Sequence, residues 1–133
     1  MKNTINGKEL LEKMYSIEVD VNIIYESSSF SNPLEFWDSA RKLEMNGKIE
    51  LGLNEIKFIG EEQKLSISVD NVVDMRLGEN YLVMGVNTDV KIIILKFENN
   101  SYPQLMFKII NLSKHWYLGE EILEIIGSEE YLI

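Results

Sequence analysis

The chain predicts an α+β domain in which a strongly bent antiparallel sheet, or partly open barrel, of about seven strands is capped by a C-terminal helix. Three observations carry that expectation. From Lys48 to Ile110, apolar residues recur at every second position in short runs broken by Gly, Asn and Asp. After Asn111 the period lengthens: Leu112, Trp116, Gly119, Leu123 and Ile126 fall four, three, four and three residues apart, as one face of a helix requires. The length of 133 residues, 45% of them hydrophobic, suits one core and is short for two, so residues 1–133 are expected to form a single domain.

At the amino end, residues 6–14 are compatible with a short helix that puts Leu10, Leu11 and Met14 on one side. Tyr15 to Glu26 then alternates Tyr15, Ile17, Val19, Val21, Ile23 and Tyr25 with polar residues, the pattern of a half-buried strand. Asn32, Pro33 and Glu35 match an N-cap, a first helical residue and a capping-box acid, which predicts a helix from Pro33 to about Glu44. A rival expectation makes Arg41 to Met45 a strand, with Asn46-Gly47 as the turn of a hairpin.

Beyond Gly47, Ile49, Leu51 and Leu53 should pair across an Asn54-Glu55 turn with Ile56 and Phe58. Leu65, Ile67 and Val69 continue the alternation. A bulge or bend near Asp70-Asn71 would then let Val73, Met75 and Leu77 carry it onward. Gly78-Glu79-Asn80 turns the chain. Strands follow over Tyr81 to Val86 and Val90 to Phe97, with another through Leu105, Phe107 and Ile109. The run Ile92 to Leu95 suits burial on both faces, inside the domain or at a dimer interface, so the oligomeric state stays open.

Composition restricts function. Twenty-two acidic residues against 13 basic ones give a net charge of −9, which disfavours nucleic acid and anionic membrane surfaces and is compatible with a basic protein partner. No run approaches the roughly 18 to 20 apolar residues of a membrane span, and the charged residues within Met1 to Lys13 interrupt any signal-peptide core. The chain has no cysteine, which removes disulfides, thiolate ligands and a cysteine nucleophile, and points to cytoplasmic residence.

Catalytic patterns are equally thin. His115 is the single histidine, and Ser113, two residues away, would point to another side of a helix. Glu61-Glu62, Glu120-Glu121 and Glu129-Glu130 are adjacent pairs that diverge in regular structure. No EF-hand or Gly-rich phosphate loop is present, so neither a metal nor a cofactor is expected and the chain is expected not to be an enzyme.

The order of strands and helix resembles the pleckstrin-homology-like superfold, in particular its GRAM-like and bacterial members. Gly47-Lys48-Ile49-Glu50-Leu51 leading to Ile56-Lys57-Phe58-Ile59-Gly60 is similar to their Gly-x-Leu-x-Leu and Leu-x-Phe-x-Gly hairpin. Leu65 to Met75 matches the segment after it, and Trp116 the tryptophan near the last helix, so the resemblance covers roughly residues 47–126. A helix at 33–44 would depart from the usual order. The resemblance implies a scaffold for recognition, but the basic cluster that binds phosphoinositides has no counterpart beyond Arg41, Lys42 and Lys48.

The expected function is therefore a non-enzymatic interaction domain that presents loops or a strand edge to a protein or peptide, the net charge being compatible with a basic one. The alternative is an acidic inhibitor or immunity protein that blocks a basic toxin or nuclease. Glu120, Glu121 and Glu124 are then the candidate partner-binding residues.

Overall fold

The computed structural model describes residues 3–25, 41–87, 90–115 and 118–132. In chain order these form β1 (Thr4–Asn6), α1 (Gly7–Ser16), β2 (Val19–Tyr25), β3 (Arg41–Leu51), β4 (Glu55–Gly60) and β5 (Lys64–Ser68). A 3-10 turn (Val69–Asn71) leads to β6 (Val72–Leu77), β7 (Tyr81–Val86) and β8 (Val90–Lys96), and α2 (Ser101–Ser113), α3 (Glu120–Gly127) and β9 (Glu130–Leu132) complete the chain.

Strands β2 to β8 make one curled, antiparallel, seven-stranded sheet in the order β5-β4-β3-β2-β8-β7-β6, a half-barrel. Consecutive β5 and β6 thus lie at opposite edges. The 3-10 turn carries the chain between them, tied on one side by Val69 N–H to Asn54 O (3.0 Å) and on the other by Asn87 N–H to Asn71 O (3.0 Å). The bend expected at Asp70-Asn71 is this crossing, and Leu65 to Leu77 is two strands. Val73 is the bulge, because the β6–β7 register shifts between Val72 and Asp74.

Alternation places Val19, Val21, Ile23, Ile49, Ile56, Phe58, Leu82, Met84, Ile93 and Leu95 on one face of the sheet, where all are buried. Against that face the helices add Leu10, Met14, Leu105, Met106, Ile109, Ile110 and Ile126. Full burial of an aromatic such as Phe58 contributes about 1.5–3 kcal/mol. β8 occupies a central place between β2 and β7, with Ile93 and Leu95 in the core and Ile92 and Ile94 half-buried on the other face.

Strand order differs from the sequence reading at both ends. Residues 7–16 are helix, so the first long strand begins at Val19 and not at Tyr15. The Asn6 side chain accepts from Glu9 N–H (3.0 Å) and caps α1, and the Tyr15 hydroxyl both donates to Leu51 O (3.2 Å) and accepts from Leu51 N–H (3.3 Å). These bonds hold Tyr15 in the last turn of the helix.

Residues 41–45 are strand, as the rival expectation had it, and the helix proposed for 33–44 otherwise lies outside the described residues. Asn46-Gly47 does not turn. β3 continues through it to Leu51, with Gly47 aligned with Val19 on one side and Gly60 on the other. A Cβ at Gly47 would collide with the Ile59 carbonyl, so glycine there permits the close approach of β4, and no reversal is involved.

The segment Leu105 to Ile109 is helix, not the seventh strand. Asn99 Oδ1 accepts from Ser101 N–H (3.0 Å), and Leu105, Met106, Ile109, Ile110 and Ser113 are buried at helical spacing. The C-terminal helix is correspondingly two helices. Gly119 is the N-cap residue of α3, and Trp116 lies outside the described residues. Antiparallel β1 and β9 bring the two ends of the described chain together.

Candidate interaction surface

The two sheet edges differ in chemistry. β5 opens with Lys64, contributes no exposed large apolar residue, and has Ser66 Oγ donating to Glu55 Oε2 (2.7 Å). That bond, with Lys57 beside it, holds the Glu55 carboxyl below its ordinary value. β6 differs in exposing apolar residues beside the charged Asp74 and Arg76. Val73 is 60% exposed and Leu77 is 44% exposed, with Met75 half-buried between them.

Hydrogen-bond phase makes that edge available. Gly78 N–H donates to Tyr81 O (2.9 Å) and Phe97 N–H to Asn80 O (2.8 Å), which fixes the alternation of both ladders flanking β7. Counting back in twos, Asp74 and Arg76 turn their backbone groups toward β7. Met75 and Leu77 turn theirs to the open side. Their side chains face inward beside Met84 and Leu82, toward the face where α2 packs on β6 and β7. The bulge at Val73 and the Gly78–Tyr81 turn bound this edge. Asn80 has φ 64° there, and the Tyr81 ring occupies the space above Gly78, so a side chain at Gly78 would displace it.

The surroundings of the edge are mainly acidic. Asp70, Asp74 and Glu79 outnumber Arg76, whose Nε lies 3.9 Å from Asp74 Oδ2. A second acidic surface lies at the outer side of β2 and β3 and the β4–β5 turn, where Glu18, Asp20, Glu44, Glu61 and Glu62 border a shallow trough. Asn46 Nδ2 donates to Asp20 Oδ1 (3.3 Å) within it.

Among the acids singled out from sequence, Glu120 and Glu121 occupy the first turn of α3 and Glu124 lies one turn on, all three exposed. Sequence reading missed the β6 edge. It had Val73, Met75 and Leu77 carry the alternation onward, and period two shows that side chains share a face but is silent on whether that face is covered. His115 follows α2, where its N–H donates to Leu112 O (3.0 Å), and is not in the first turn of the last helix. Among the described residues no group of three or more His, Cys, Asp or Glu side chains could hold a metal ion. Among them also, no helix is long and apolar enough to cross a membrane.

No family model and no curated protein matches the chain. Among solved structures it is similar to inner membrane complex sub-compartment protein 3 of Toxoplasma gondii, at 12% identity and a TM-score of 0.52, over 82% of this chain and 83% of that one. At that identity the likeness is one of fold alone. The curled seven-stranded sheet with its C-terminal helix is consistent with a pleckstrin-homology-like fold.

Proposed function

We propose that this chain is a non-enzymatic protein-interaction domain of the pleckstrin-homology-like kind, similar to the GRAM-like and bacterial members, and that it works in the cytoplasm. The observation that supports it best is the β6 edge, where among the described residues no further strand pairs and the apolar Val73 and Leu77 are exposed. Proteins ordinarily blunt such edges with charge, proline, bulges or a covering element, and β6 combines Asp74, Arg76 and the Val73 bulge with its exposed apolar residues. Exposed apolar residues along an edge suit recognition by strand addition or by apolar contact.

The test is affinity capture of the tagged protein from lysate of its own source cell, with washes at low and then high salt. A partner retained at high salt by the wild type and lost from Val73→Lys and Leu77→Lys is the expected outcome. Recovery of the same partner by all three proteins would refute the assignment.

A second reading is an acidic inhibitor or immunity protein, supported by the exposed carboxylates of α3 and of the trough. Its partner would be basic, and its binding would weaken steeply with salt. Reversal of Glu120, Glu121 and Glu124 to lysine would then abolish capture.

A further inference from the structure

We propose that the outer face of β3, β4 and β5 binds helix α3 of a second copy of this chain, so that copies associate head to tail. The contact does not involve β6, which lies at the opposite end of the sheet.

The receiving surface follows from strand phase. Ile49 and Phe58 point into the core, so Lys48, Glu50, Lys57 and Ile59 alternate with them onto the outer face. There Ile59 lies opposite Lys48 on one side and Lys64 on the other, with Lys57 two residues back along β4. It is half-buried among these exposed lysines, in a shallow hollow that Lys57, Lys64 and Ser66 also line. Glu50 lies opposite Lys57, Glu55 pairs with Lys57 at 3.3 Å, and Glu61 and Glu62 follow in the β4–β5 turn. Lys48 and Lys64 form no ion pair among the described residues.

Helix α3 carries the matching set. Ile122 and Ile126 are buried, which turns Glu121, Glu124 and Ile125 outward together. Ile125 is 36% exposed, and the two carboxylates form no ion pair among the described residues. Glu121 and Ile125 stand about 6 Å apart along the helix. Lys48 and Lys64 each stand about 4.8 Å from Ile59 across the sheet. Ile125 set on Ile59 therefore brings both carboxylates within reach of the two unpaired lysines, where the hydrogen bonds are charge-assisted.

Within one molecule this contact cannot form, because α3 packs on α1 in the helical layer of the inner face, with the Ile126 carbonyl against Gly7. The two surfaces differ, so the pairing is heterologous: each copy keeps one hollow and one helix, and association extends into rows or closes into a ring. Two turns of helix bury less than a standard interface, which puts the Kd at about 10–100 µM. The net charge of −9 on each copy opposes encounter. At about 0.15 M salt that repulsion is screened beyond about 8 Å, while pairs in contact are kept.

Sedimentation equilibrium of the full chain, from about 10 to 500 µM at about 0.15 M salt, tests the contact. The average mass of the wild type should rise with concentration. Lys48→Ala with Lys64→Ala alters only the receiving surface, and Glu121→Ala with Glu124→Ala alters only α3. Each pair of substitutions should weaken association about tenfold or more. Mixed in equal amounts, the two variants should form a 1:1 dimer that grows no further, because one intact hollow then meets one intact helix. Ile125→Asp replaces the glutamate variant should that protein fail to fold.

A wild type that stays monomeric, variants that associate like the wild type, or a mixture that stays monomeric would overturn the proposal. So would loss of association in one variant only, since that marks one surface pairing with itself. A monomeric wild type would leave the interaction-domain reading standing, because that reading is tested by capture through β6.

Discussion

Tyr15 joins the first helix to the sheet through a single hydroxyl, which donates to one backbone group of Leu51 and accepts from the other. Burial pushes its pKa above the ordinary 10.0, against a lowering contribution from the Leu51 hydrogen bond. Because the folded state holds the proton longer than the unfolded one, this contribution to stability is fully present below pH 10.0 and is lost as pH rises through the folded pKa. Tyr131 behaves alike, its pKa also raised by burial. Urea melts should therefore give a stability that falls above pH 10.0, and Tyr15→Phe should reduce that fall while lowering stability at neutral pH by about 1–2 kcal/mol. Phe58→Ala, at a fully buried position, should cost about 3–5 kcal/mol in the same assay. Phe58 and Ile49 were legible from sequence because their neighbours in β4 and β3 alternate with polar residues. The helical place of Tyr15 was not, since its spacing continues the strand pattern without a break.

At the scale of elements, Val73 and Leu77 separate folding from recognition. Lysine at Val73 should change stability by no more than about 0.5 kcal/mol in thermal melts, and at the more covered Leu77 should cost about 1 kcal/mol, in contrast to their effect on capture. Gly47→Ala belongs to the same scale, because the added methyl would force β3 away from the Ile59 carbonyl. It should destabilise by about 1–3 kcal/mol in chemical unfolding, with no cavity to absorb the change. Segment 101–113 shows how an element escapes a pattern: Leu105, Phe107 and Ile109 fit period two, yet Met106, Ile110 and Ser113 are buried with Leu105 and Ile109 at helical spacing while Phe107 is only half-buried. The Asn99 side chain, which accepts from Ser101 N–H just before the helix, and the helix-tolerant Pro103 near its start were the available signals.

Across the whole molecule, the net charge of −9 bears on rate of encounter and choice of partner more than on fold. Reversing Glu120, Glu121 and Glu124 to lysine should leave salt-resistant capture unchanged, and loss of capture would favour the acidic inhibitor in its place. The Lys108–Glu129 ion pair near β9 is partly exposed, so Glu129→Ala should cost less than about 1 kcal/mol in a thermal melt.

The sequence by itself determined the class of fold, its bent antiparallel sheet, the short helix near the amino end and the residues of most core strands. Each of these follows from local periodicity and turn chemistry. Only the tertiary structure decided that β5 and β6, neighbours along the chain, end at opposite edges, and that among the described residues large apolar side chains are exposed along β6 and not along β5. Strand order and coverage depend on contacts between distant segments. Alternation records which side chains share a face and carries no term for what lies against it.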